Sequence, residues 1–210
     1  MDLLEIESFA KKYYESNKGS HDWDHVQRVY TLAVKIADKE KADLEVIKIS
    51  ALLHDIGRRY QDESNGKICH AEKGAEIAKE FLKGKIEEDK LKNIVHCIES
   101  HRFRGEKKPE TKEAMILSDA DKLDSIGAVG IGRGFLFAGE VGAKLHNHQI
   151  DIEKTEAYSK EDTAYREFKL KLIKIKDKML TDEGKRIAEE RHNFMVEFFN
   201  RLNNEVEGKL

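Results

Sequence analysis

Apolar residues in this chain recur at three- and four-residue intervals along most of its length, and no stretch between turn signals alternates with the two-residue period of a half-buried strand. That pattern predicts an all-α fold. In residues 22–41, Val26, Val29, Tyr30, Ala33, Ile36 and Ala37 share one stripe, and Asp22 is placed to cap the first turn. Residues 43–57 are apolar on most sides, as a central helix requires, and Gly57 is expected to end that helix. After a polar loop at 61–66, helices are expected at about 70–83, at about 87–101, and from Pro109 to about Ile126, with the proline in a first turn. Residues 127–142 hold six glycines, at 127, 130, 132, 134, 139 and 142. At about 1 kcal/mol each, this is more than an ordinary helix interior tolerates, which implies close packing or a bend near a site. Residues 160–180 and 183–207 read as two long, charged, amphipathic helices on the outside.

The chain has 210 residues and a formal charge of −3, and no repeat, Pro-rich linker or low-complexity tract divides it. One domain over 1–210 is expected, with a chemical core at about 21–142 and C-terminal helices at about 160–207. A chain of this length buries roughly 70% of its unfolded surface, enough for a core without disulfides. Cys69 and Cys97 are too far apart for a C-x-x-C pair and do not make a disulfide framework, so a reducing compartment is expected. The opening Met1-Asp2-Leu3-Leu4-Glu5 lacks the pattern of a signal peptide, and no apolar run approaches the ~20 residues of a membrane span. The expected setting is therefore cytoplasmic, with no membrane partner. Near-neutral charge disfavours a nucleic-acid partner, because phosphate neutralisation needs a basic surplus.

Nine histidines are many for this length, and helical geometry sorts them. His25 lies in line with Val29, Leu32 and Ile36, and His54 with Ile47 and Ala51. His70 lies in line with Gly74, Ile77 and Phe81, and His101 with Ile94 and Ile98. All four are expected to face inward. His96, His146 and His148 are expected to be solvated, and His192 lies on an apolar stripe with no chemistry assigned to it. One inward histidine is most simply a hydrogen-bonded core residue. Four change the balance, because each buried imidazole needs partners for both nitrogens. Asp121 falls in line with Ala114 and Leu117, so a carboxylate turns inward as well. Neutral imidazoles with carboxylates are a ligand set for a divalent ion such as Mn, Fe, Ni or Zn, which would relieve all these burial costs together.

The segments His21-Asp22-Trp23-Asp24-His25-Val26, His54-Asp55-Ile56-Gly57 and Asp119-Ala120-Asp121-Lys122-Leu123-Asp124 together resemble the HD-domain superfamily of metal-dependent phosphohydrolases, whose H…HD…D pattern binds the metal. The resemblance spans residues 21 to about 142 and is closest to small stand-alone HD hydrolases. It implies a single HD-domain helical bundle with His25, His54, Asp55 and Asp121 as ligands of a divalent metal (Mn, Ni, Fe, Mg, Co or Zn). It favours Asp121 over Asp119, because Ala-Asp-Lys-Leu matches the family's Ala-Asp-Arg-Leu. His70 and His101 stand where some HD proteins place ligands for a second metal and others place phosphate-binding groups. Arg58-Arg59 replaces the Glu-Asp pair of guanosine tetraphosphate hydrolases, and the Gly-Tyr-Pro signature of cyclic-di-GMP hydrolases is absent, so both of those substrates are disfavoured.

The implied chemistry is hydrolysis of a phosphomonoester, phosphodiester or nucleotide pyrophosphate bond, with a nucleotide or another small phosphorylated metabolite as substrate. A divalent ion would activate water and polarise the phosphoryl oxygen, with Asp55 and Lys122 at the reacting groups. Phosphate contacts are expected from His21, Arg28, His70, His101 and Arg133, with Arg102 and Arg104 as further candidates, while Asp124 stands where it could orient a ligand, accept a proton or lie on the surface. Because ligating imidazoles must be neutral, activity is expected to fall as pH drops through the histidine range near ~6.5. Gly130-Ile131-Gly132-Arg133-Gly134 follows a helix and lacks the G-x-G-x-x-G spacing, so a dinucleotide-binding reading fails. Two other readings are a dinuclear iron oxygenase on the same fold, with His70 and His101 as additional ligands, and a non-catalytic nucleotide-sensing module.

Overall fold

The computed structural model describes residues 2–14, 22–102 and 107–210, and among them the regular structure is helical throughout. The chain divides into two compact units, Met1–Asp121 and Lys122–Leu210. The first contains α1 (Leu3–Lys11), α2 (Trp23–Glu40), α3 (Leu44–Leu53), α4 (Arg58–Glu63), α5 (His70–Leu82), α6 (Glu88–Ser100) and most of α7 (Lys112–Leu123).

In the first unit, α3 is the central helix. It buries Val46, Ile47, Ile49, Ser50, Ala51, Leu52 and Leu53 and packs against α1, α2 and α6, with Glu45 and Lys48 on its outer side. A helix that buries most of its residues has to be packed on several faces, and each fully buried Ile or Leu contributes roughly 1.5–3 kcal/mol. Helix α2 turns Val26, Val29, Ala33 and Ile36 toward it. The Asp22 carboxylate accepts from the His25 backbone N–H at 3.0 Å, which starts α2 at the first turn, where His25 stands. At the other end, Lys41 adopts a left-handed conformation (φ 54°) and Ala42 donates to the Ala37 carbonyl at 3.0 Å.

Some expected boundaries move. Helix α3 stops at Leu53, not at Gly57, and residues 54–57 form a turn that leads directly into α4. The cause is a close approach. A Cβ on Gly57 would lie 2.1 Å from the His70 carbonyl oxygen and 2.6 Å from the Gly74 backbone nitrogen, so the turn can press against α5 only with glycine there. Pro109 lies three residues ahead of α7, outside its first turn. The short helices α1 and α4 were not legible as periodic stripes.

The second unit contains α8 (Gly127–Glu140), α9 (Ala164–Leu170) and α10 (Asp182–Val206). The glycine-rich segment is a helix over Gly127–Glu140, and two of its glycines, Gly127 and Gly130, serve close packing. A Cβ at Gly130 would meet the Ser125 carbonyl oxygen at 2.2 Å, and one at Gly127 would meet the Arg191 side chain at 2.9 Å. The expected long helix at 160–180 breaks after Leu170 into two 3₁₀ turns, Leu172–Lys174 and Lys176–Lys178. These turns still bury Leu172, Ile175 and Met179, so the apolar spacing is kept while the hydrogen bonding changes. Phe168 and Phe199 stack at 4.4 Å in this unit's core. Among the described residues, no helix is long and apolar enough to cross a membrane.

Two glycines should behave oppositely. Gly57→Ala forces a backbone clash and is expected to cost at least ~3 kcal/mol. Gly132→Ala on α8, with nothing within 4 Å of the added Cβ, should instead stabilise by ~0.5–1 kcal/mol. Urea unfolding midpoints of the two variants against the parent check both signs.

Candidate metal centre

Two of the four inward histidines, His54 and His101, stand one residue beyond a helix and use the same local device. The Nδ1 of His54 lies 2.8 Å from the Ala51 carbonyl, and that of His101 lies 2.6 Å from the Ile98 carbonyl, three residues back in each case. The last carbonyls of a helix have no partner within it, so a side chain can take one without breaking the ladder. A carbonyl can only accept, so Nδ1 carries the proton and Nε2 keeps its lone pair. His70, the first residue of α5, is held in the same state because its Nδ1 lies 2.8 Å from the Gln61 Oε1.

The Nε2 atoms converge. Those of His25 and His54 are 3.4 Å apart, and Asp121 Oδ1 is 3.4 Å from His25 Nε2. Those of His70 and His101 are 3.3 Å apart, with Asp55 Oδ1 at 3.3 and 3.6 Å from them. Asp55 joins the two groups, because its Oδ2 also lies 3.9 Å from His25 Nε2 and 4.0 Å from His54 Nε2. Each trio can hold a metal ion. Ligands ~2.1 Å from a shared cation are separated by about 3.0–3.4 Å in octahedral or tetrahedral arrangements, close to the spacings found here. The four imidazoles and Asp55 are all at most 3% exposed, whereas the Asp121 side chain keeps 29% of its surface.

Burial sets the protonation. His54 is pushed down to about 4, chiefly by burial, with Asp55 pulling the other way and the imidazoles of His101 and His25 adding to the fall. His70 is lowered to about 2, again first by burial and despite Asp55. Both are neutral at pH 7, as metal ligation requires. Burial opposes ionisation of Asp121, but its contact with His25 outweighs this and holds the carboxyl below its ordinary range. Arg58 packs on Asp55, with one guanidinium nitrogen 3.1 Å from each carboxylate oxygen.

The other expected site residues are distributed as follows. Arg28 is half-buried on α2. Lys122 is buried directly after Asp121 and begins the second unit. Arg133 belongs to that unit, where it donates to Asp124 Oδ2 at 2.7 Å. Arg102 contacts Cys69 Sγ at 3.5 Å. His21 and Arg104 lie outside the described residues. Of the histidines expected in solvent, His96 accepts from the Glu110 backbone at 3.0 Å. His146 and His148 are half-buried and bonded to Asn203 and Glu207 at 2.7 and 2.6 Å. Sequence reasoning assigned no role to Arg58 and read Gln61 as loop. The signal for Arg58 was its position three residues after Asp55, one helical turn away.

A buried cluster of imidazoles and carboxylates on an all-helical unit is a donor set that could hold a divalent metal ion. The chain belongs to the HD-domain family, whose model matches residues 22–126. It is 35% identical to the YpgQ protein of Bacillus subtilis over 209 residues, covering 97% of this chain and 93% of that one. The crystal structure of B. subtilis YpgQ in complex with ADP superimposes with a TM-score of 0.74 at 32% identity, covering 99% of both chains. An HD-superfamily hydrolase of Bacillus thuringiensis superimposes with a TM-score of 0.76 at 27% identity, covering 98% of this chain and 96% of that one. The chain is also 31% identical to Ribonuclease Y of Syntrophomonas wolfei over 120 residues, 57% of this chain and only 21% of that enzyme.

Protonation of the metal-free centre should appear in stability. Unfolding raises His54 and His70 to their ordinary value near ~6.5, so below that pH the unfolded chain binds protons that the folded chain refuses. Stability is expected to be level above about pH 6.5 and to fall by roughly 2 kcal/mol per histidine by pH 5. Thermal midpoints of chelator-treated protein from pH 8 to 5 test this, and a constant midpoint contradicts it.

Proposed function

We propose that this protein is a metal-dependent phosphohydrolase acting on a nucleotide or a similar small phosphorylated metabolite, with His25, His54, Asp55 and Asp121 holding the metal. The observation that carries this reading is the convergence of His25 Nε2, His54 Nε2 and Asp121 Oδ1, at 3.4 Å spacings, beside Asp55 Oδ2. The ADP bound to YpgQ supports a nucleoside phosphate as the substrate class.

A bound divalent ion supplies a nucleophile from water near neutral pH and a sink for phosphoryl charge. The protein's own groups do the rest. The Nδ1–H bonds of His54 and His101 fix the ring planes, so no reorganisation is needed when a ligand arrives. Asp55 is held by Arg58 with both oxygens facing the imidazoles, where it can orient a water or accept its proton. Arg28 on α2 and Lys122, immediately after Asp121, are the cations proposed to meet phosphate oxygens. His70 and His101 present Nε2 lone pairs, so they would meet the same anion through a water that donates to both. The second trio, Asp55–His70–His101, is the observation that favours the dinuclear oxygenase reading as the alternative.

Purified full-length protein loaded with Mn or Ni should release phosphate or pyrophosphate from one or more nucleotides. His54→Ala and Asp55→Ala should each lower both metal affinity and turnover by at least ~100-fold while keeping the helical far-UV spectrum. Retained turnover in either variant contradicts the ligand assignment. Nucleotide bound but unchanged after hours favours a sensing module, and two irons per chain with oxygen consumption favours the oxygenase.

A further inference from the structure

Arg58 lies against the second trio. The same guanidinium nitrogen that touches both oxygens of Asp55 lies 3.3 Å from His70 Nε2. The Nδ1–H of His70 is committed to Gln61, so that Nε2 offers a lone pair, and Arg58 takes it as a donor. Asp55 Oδ1 and His70 Nε2 are two of the three atoms that a second metal ion would need. A donated hydrogen and a cation cannot use the same lone pair. Arg58 is also a permanent cation. Burial works against its charge, but Asp55 more than offsets this and raises it above its ordinary value.

We propose that Arg58 takes the place of a second metal ion, so that the centre holds one divalent ion at His25, His54, Asp55 and Asp121, while His70 and His101 remain unmetallated hydrogen-bonding groups. Charge favours this arrangement. Against the two carboxylates Asp55 and Asp121, one divalent ion plus Arg58 leaves a net +1. Two divalent ions plus Arg58 would leave +3 in a pocket whose imidazoles are almost fully buried. Arg58 also keeps capacity for substrate, because its Nε is buried and has no acceptor among the described residues. A donor in that state is suited to an anion that arrives later, such as a phosphate group. The guanidinium would thus give a phosphoryl oxygen the positive charge that a second ion gives in two-metal sites. Arg58 then acts as a phosphate-contacting residue as well as a barrier to metal.

The proposal rests on the reading of the first four residues as metal ligands, and metal counting separates the two. Full-length protein is stripped with chelator, titrated with Mn and assayed for bound metal per chain, with electron paramagnetic resonance reporting whether the ions are coupled. The parent should bind one Mn with an uncoupled spectrum. Arg58→Met, which removes the donor and the charge but keeps the bulk, should bind two, with the spectral broadening of an exchange-coupled pair, and Arg58→Lys should return to one. Far-UV circular dichroism establishes that the variants are folded. His70→Ala in the parent provides a test that leaves Arg58 in place. It should still bind one Mn, with affinity changed no more than a few-fold, whereas a two-metal centre would drop from two ions to one. Two ions in the parent, or one in folded Arg58→Met, overturns the role of Arg58 and leaves the metal centre standing. No metal in any of these proteins overturns both.

Discussion

The first unit is organised around the buried carboxylate of Asp55. It is 2% exposed, and an isolated charge at that depth would cost several kcal/mol. It is tolerated because one oxygen faces His70 and His101, the other faces His25 and His54, and Arg58 spans both. His54 and Arg58 flank it at the two ends of the same turn, whereas His25, His70 and His101 come from α2, α5 and the end of α6. The packing that brings them together is therefore the same packing that makes ionisation of Asp55 affordable.

Two kinds of backbone feature hold that convergence. Helix termini provide the first, since the unpaired carbonyls at the ends of α3 and α6 orient His54 and His101 and set their tautomers without disturbing the helices. Those carbonyl ends also carry partial negative charge toward the place where a cation is proposed to bind. The second is the contact of the Gly57 turn with α5, where the absence of one side chain lets the His54–Gly57 turn lie against the backbone of His70 and Gly74. That contact places Asp55 within 3.3 Å of His70. The family match over residues 22–126 covers these elements from the cap of α2 through Asp121.

How legible the centre was depended on the range of the interaction. The inward direction of His25, His54, His70 and His101 followed from helical periodicity, because the apolar residues on the same stripe must face the core. The preference for Asp121 over Asp119 came from a resemblance, and the structure puts Asp121 beside His25, while Asp119 is buried and belongs to neither trio. Arg58 and Gln61 were not legible as parts of the centre. Beyond the three-residue spacing of Arg58 from Asp55, their contacts with His70 span 12 and 9 residues across the connection from α4 to α5, whose course a one-dimensional pattern does not show. The 160–180 segment failed for a related reason, since 3₁₀ turns bury nearly the same spacing of apolar residues as an α-helix.

Periodicity and capping residues were enough to specify an all-helical protein, its principal helices, and the histidines that would be buried, because helix formation and burial of a stripe are decided by residues within a few positions of one another. That the ligand atoms fall into two trios bridged by Asp55, and that a guanidinium rests against one of them, were decided only by tertiary packing. Those outcomes depend on distances of 3–4 Å between residues 12 to 96 positions apart, from Arg58 to His70 up to His25 to Asp121, and on a single glycine contact between a turn and a helix.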